Sequence, residues 1–228
     1  MSTQPSLLLV HGAWHGPWCW QHLAEHLPDV DVHTVALPSS GPDPQALGDL
    51  YDDAAAISAA LKAIGGPTVV VGHSYGGCPV SQAAGSAGDV RRVVYLSALM
   101  QDVGDALLTL VGGAYPPDWE VYEDEEYFDV RDPLHALYAD VAPDLAARSA
   151  ARLGHESLRA VKQPLTEAAW RTVPSTYVVC EGDVAIPPAL QEQMAVHAER
   201  VRRIPGSHSP FLARPAELAR LLREEMSV

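Results

Sequence analysis

Residues 69–77, Val-Val-Val-Gly-His-Ser-Tyr-Gly-Gly, leave little freedom to the chain around them. Val69, Val70 and Val71 are β-branched and suit a buried strand. Gly72, His73, Ser74, Tyr75 and Gly76 follow as G-x-S-x-G, and small residues (Gly77, Ala83, Ala84, Gly85) lead into a helical stretch. The pattern reads as strand, sharp turn, helix, with a serine at the apex. A nucleophile held in a strained turn needs neighbours without bulky side chains, because the flanking backbones approach closely. The helix that follows directs its first N–H groups towards developing negative charge.

Around this stretch, apolar runs alternate with helical ones. Ser6–Val10, Asp31–Ala36, Thr68–Gly72, Val90–Leu96, Ser175–Cys180 and Val201–Ile204 read as strands. Helices are expected from Pro17 to Leu27, over 47–64, 76–87 and 187–198, and over 215–226. This rhythm predicts an α/β fold, a mostly parallel sheet of about six strands with helices on both faces. Residues 101–165 break it. They contain an aromatic and acidic patch, Tyr115–Phe128, and helical stretches near 132–140 and 143–153, but no strand-like run of comparable strength. A crossover needs only about a dozen residues. The segment is therefore expected to be a helical cap inserted into a core domain of residues 1–100 and 166–228.

The chain of 228 residues carries 15 basic and 29 acidic residues, a net charge of −14, which argues against nucleic acid and anionic membranes as partners. Cys19, Cys78 and Cys180 are an odd set without metal-like spacing and read as buried free thiols. Residues 1–10 lack a basic start, and Leu7–Val10 is too short for a signal core, so a cytoplasmic protein is expected. A homodimer is left open.

In a parallel sheet, ligands bind beyond the carboxyl ends of the strands. His11, Gly12, Ala13, Ser74, Leu99, Asp183 and His208 all fall just after strands. A serine needs a base within hydrogen-bond reach, and the base needs an orienting acceptor. Of ten histidines, His208 lies between the last strand and the terminal helix, where a base is wanted in the order Ser, acid, His. His73 is adjacent to Ser74 in sequence and poorly placed as its base. Asp183 is favoured over Glu181 as the acid, with helix capping as its alternative role. The N–H groups of Tyr75 and Ala13 are the expected oxyanion donors, each worth roughly 3 kcal/mol. Gly12 permits the tight backbone there, and Gly12 and Trp14 are expected at the pocket. His11/His15 and His22/His26 are spaced as metal ligands can be, but without a third ligand, so no metal is expected.

The strings His11-Gly-Ala-Trp-His-Gly-Pro-Trp-Cys-Trp20, Gly72-His-Ser-Tyr-Gly-Gly77 and Gly206-Ser-His-Ser-Pro-Phe-Leu212 together resemble the α/β-hydrolase superfamily. The likeness is to the branch of plant methylesterases, plant hydroxynitrile lyases and small bacterial esterases. It implies Ser74, Asp183 and His208 as a triad, Ala13 and Tyr75 as backbone donors, a helical cap, an apolar pocket with Leu99 and Trp119 in it, and no cofactor. The hydroxynitrile lyases carry threonine and lysine where this chain has Gly12 and Ser209, so hydrolysis fits better than cyanide release.

The function expected is hydrolysis of a small, largely apolar carboxylic ester through an acyl-enzyme. One alternative keeps the site for cyclisation, lyase or thioester-release chemistry in a biosynthetic pathway. Another is a small-molecule binding protein, against which the intact Ser, Asp and His set speaks.

Overall fold

The computed structural model describes residues 4–227. Its strands, in chain order, are β1 (Ser6–Val10), β2 (Val32–Val35), β3 (Ser40–Gly41), β4 (Pro67–His73), β5 (Asp89–Leu96), β6 (Trp119–Tyr122), β7 (Tyr127–Val130), β8 (His155–Ser157), β9 (Ser175–Cys180) and β10 (Arg200–Ile204). Six of them form one sheet in the order β2-β1-β4-β5-β9-β10, and every neighbouring pair is parallel. This is the expected six-stranded parallel sheet.

The centre of the sheet is buried on both faces. That is why its strands read as unbroken apolar runs rather than as alternation. Leu9 lies opposite Val71, Val71 opposite Val94, and Leu96 opposite Val178, all essentially without solvent contact. Each such side chain contributes roughly 1.5–3 kcal/mol of burial energy.

The helices are set by local chemistry. Leu50–Ile64 starts where Asp49 accepts the Tyr51 and Asp52 N–H groups and Asp52 reaches back to the Asp49 N–H. It stops at Gly65, whose φ of 67° is left-handed. The terminal helix, Pro215–Met226, is fastened to the sheet by a charge. The fully buried Glu225 accepts from Thr176 Oγ1 at 2.6 Å and Arg202 Nε at 2.9 Å, and lies 3.8 Å from the buried Arg92. Cys19, Cys78 and Cys180 are free and buried, and burial pushes all three thiols up. Among the described residues no helix is long and apolar enough to cross a membrane.

The segment 101–165 differs from expectation. Its helices are short: Leu107–Leu110, Pro133–Ala136, Pro143–Ala150 and Leu158–Lys162. Between them β6, β7 and β8 form an antiparallel sheet, and β3 from the core loop completes it in the order β3-β8-β7-β6. The expected helical make-up of this segment is thus corrected: it mixes short helices with strands. The reason lies in the sequence of the strands. Trp-Glu-Val-Tyr and Tyr-Phe-Asp-Val each carry an acid among apolar residues, as a half-exposed antiparallel strand does, and do not look like the core runs. Glu126, at φ 58°, closes the hairpin between them.

Candidate active site

The turn after β4 is compressed. Ser74 begins a single 3₁₀ turn, Ser74–Gly76, before the helix Gly77–Ala83, and its φ is +54°. A non-glycine residue held there stores about 1–3 kcal/mol of strain, which persists only where the surroundings impose it. They do: a Cβ on Gly76 would collide with the His11 carbonyl, and one on Gly12 would stand 2.7 Å from the Ser74 Cβ.

His208 lies in the loop between β10 and the short helix Pro210–Ala213. Its Nδ1 is 2.7 Å from Asp183 Oδ2, and both residues are buried. Asp183 Oδ1 accepts the Ala185 N–H at 2.8 Å and the Ile186 N–H at 3.0 Å, so this carboxylate both shapes its loop and meets the imidazole. Oδ2 also accepts from Ser97 Oγ and from Gln191 Nε2, the latter at 3.2 Å. With Oδ2 as acceptor, the His208 proton sits on Nδ1 and Nε2 keeps its lone pair. Glu181, the other acid of this loop, is exposed.

His73 serves the backbone. Its Nε2 donates to the His208 carbonyl at 2.9 Å, and its ring packs against His208 and Phe211 with centroids 4.6 and 4.9 Å away. Burial holds its pKa well below the ordinary value, so it stays neutral. His11 and His15 are likewise pushed down by burial, to about 4 and about 3. Both nitrogens of each are engaged. His11 bonds the Gly12 carbonyl and the Leu37 N–H, and His15 bonds the Ala13 carbonyl and the Tyr138 hydroxyl. Their metal-like spacing is used to brace the loop after β1.

Ser74, His208, Ala13, Tyr75, Trp14, Leu99 and Trp119 line one cavity. Its remaining walls are largely apolar, with Val111, Phe128, Val130 and Leu137 contributed by residues 101–165 and Ile186 by the loop that holds Asp183. Trp119 stacks on Phe128 at 4.0 Å, and Trp14 stands edge-on to Phe128 at 5.4 Å. Gly12, expected at the pocket, is not among the residues that line the cavity; it lies against Ser74, where its missing side chain leaves room for the Ser74 Cβ. Sequence reasoning missed Ser97, although it follows a core strand as the other site residues do. It has a φ of +41° and its hydroxyl points at Asp183.

The chain matches the model of the alpha/beta hydrolase family over residues 7–221. It is 30% identical to the alpha/beta hydrolase nvfD of Aspergillus novofumigatus, over 96% of each chain. Methylesterase 10 of Arabidopsis thaliana is 28% identical over 95% of this chain and 90% of its own, which agrees with the branch indicated by the motifs. The solved structure of a pyrethroid hydrolase from Sphingobium faniae JZ-2 shares the fold, with a TM-score of 0.81 at 20% identity over 98% of both chains. With its parallel sheet, strained serine turn and a match over residues 7–221, the chain belongs to the alpha/beta hydrolase family.

Proposed function

We propose that this chain is a serine hydrolase that cleaves small, largely apolar carboxylic esters through an acyl-enzyme. One observation carries the reading. Ser74, held at φ +54°, opens into the same cavity as His208, whose Nδ1 is fixed by Asp183 Oδ2 at 2.7 Å. That tautomer leaves Nε2 as the base for the Ser74 hydroxyl. Ser74 Oγ attacks the ester carbonyl as His208 takes its proton, and the tetrahedral oxyanion is met by the Ala13 and Tyr75 N–H groups. His208 returns the proton to the departing alkoxide. A water then gives its proton to His208, attacks the acyl carbonyl and releases the acid with Ser74 restored. The cavity walls are apolar apart from the part-buried Asp118, and among the described residues no Lys or Arg lines it, which favours acyl and alcohol groups that carry no negative charge.

The test is turnover of p-nitrophenyl acetate and butyrate by wild type and Ser74→Ala, with fluorophosphonate labelling followed by peptide mapping. Ser74→Ala is expected to abolish turnover with an unchanged circular dichroism spectrum. Equal turnover by the variant, or label on another residue, overturns the reading.

A further inference from the structure

The loop after β1 is held from the inserted segment, and the grip centres on one buried acid. The Trp14 N–H donates to Glu156 Oε2 at 3.1 Å, the Trp14 carbonyl accepts from the Gly154 N–H at 2.8 Å, and the indole Nε1 donates to the Phe128 carbonyl at 3.0 Å. All three partners belong to residues 101–165. Trp14 itself sits at φ +62°, a conformation that needs such restraint. The peptide between Ala13 and Trp14 is thereby fixed at both ends, since His15 Nδ1 donates to the Ala13 carbonyl at 2.8 Å. This peptide directly follows the Ala13 N–H.

Glu156 does more than hold one N–H. Its Oε2 also accepts from Ser40 Oγ, and the neighbouring Ser39 N–H donates to Asp53 Oδ1 at 2.9 Å. Asp53 Oδ2 in turn accepts from the Tyr75 hydroxyl at 2.6 Å. Glu156, Asp53 and Ser39 have no solvent contact, and Tyr75 is almost as fully buried. A continuous path thus joins Trp14, Glu156, Ser40, Ser39, Asp53 and Tyr75. Its ends are the residue after one oxyanion donor and the residue that carries the other.

We propose that Glu156 is a positioning residue which sets the distance and orientation of the two oxyanion donors, with Asp53 as its counterpart on the Tyr75 side. The proposal rests on the hydrolase reading. It follows from geometry: two backbone donors on different loops must converge on one oxygen, and these loops are linked through hydrogen bonds to Glu156 and Asp53 that meet at the adjoining residues Ser39 and Ser40. Errors of an ångström in such donors cost on the order of a hundredfold in rate.

The test compares Glu156→Leu, which removes the acceptor, with Glu156→Gln, which retains one in the same shape, on p-nitrophenyl butyrate. Glu156→Leu is expected to lower kcat by about 30- to 100-fold with KM within twofold, because the donors act on the transition state rather than on the bound ester. Glu156→Gln is expected to recover most of that loss. If Glu156→Leu does not fold, Ser40→Ala decides, with an expected kcat loss of about three- to tenfold at unchanged KM. An active wild type with undiminished kcat in the variants, a loss expressed in KM, or a Gln variant as impaired as Leu overturns the proposal alone. A wild type that hydrolyses no ester and takes no fluorophosphonate on Ser74 refutes the hydrolase reading and the proposal with it.

Discussion

Gly76→Ala is the smallest change that should separate the serine turn from the loop facing it. A Cβ built on Gly76 falls inside the 3.0 Å that real Cβ contacts do not cross, against the His11 carbonyl oxygen, with the Val10 oxygen 3.1 Å and the His11 carbonyl carbon 3.2 Å away. All three are backbone atoms, so no side chain can swing aside. The gap between the end of β1 and the turn must open by at least about 0.6 Å. His11 cannot yield alone, because its ring bonds the Gly12 carbonyl and the Leu37 N–H. The strain should cost about 1–3 kcal/mol, as overpacking in a filled core does. At about 2–4 °C per kcal/mol for a chain of this size, melting should fall by roughly 4–8 °C for a 2 kcal/mol loss. The same displacement moves the Ala13 N–H relative to Ser74, and kcat should drop about ten- to a hundredfold. Gly66→Ala is the control, since nothing lies within 4 Å of a Cβ there. Differential scanning fluorimetry and p-nitrophenyl butyrate turnover read both effects. A Gly76→Ala protein with wild-type kcat would refute the reasoning.

Two further outcomes concern stability. Glu225→Ala should destabilise by about 1.5–3 kcal/mol in urea unfolding, because it removes the buried acceptor of Thr176 and Arg202 and leaves Arg92 with Glu199 as its remaining carboxylate, while kcat of the folded fraction stays unchanged. Burial pushes Asp53 up to about 7 and Glu156 up to about 8, so the folded state holds protons that the unfolded chain releases near its ordinary carboxyl values. Stability from this pair is therefore full at low pH and is lost as pH rises towards 8. Below about 6.5 the buried His11, His15 and His73, all shifted down, act in the opposite sense. The clean window is pH 6.5 to 8, where the unfolding free energy should fall by on the order of 1–2 kcal/mol. Glu156→Gln should flatten that slope, and an equally steep slope in the variant would count against the assignment.

What the bare sequence shows well is what neighbours dictate. Val69–Val71 and Leu7–Val10 announce buried parallel strands because both faces are covered, and the glycines around Ser74 announce a tight turn. The loops holding Asp183 and His208 were found because the topology brings strand ends to one edge. Side-chain bonds between distant segments leave no such trace. Nothing local in Glu156 tells that it lies 142 residues away from, and bonded to, Trp14, and nothing in Asp53 distinguishes it from the exposed Asp52 beside it. The strands of residues 119–130 escaped for a different reason: a half-exposed antiparallel strand mixes acids with aromatics and imitates a loop. The tight backbone expected at Gly12 is legible from its position after β1, but not that its absent Cβ makes room for Ser74 rather than for a ligand.

The three buried cysteines bear on chemoselectivity. Cys19, Cys78 and Cys180 are nearly without solvent contact, and burial keeps each thiol protonated. Thiolates, not thiols, react with electrophiles. None of the three lines the cavity that Ser74 and His208 share. An acylating or phosphonylating reagent entering the folded molecule thus meets oxygen chemistry before sulfur chemistry. Soft alkylators and mild oxidants reach these three sulfurs only in molecules that have opened.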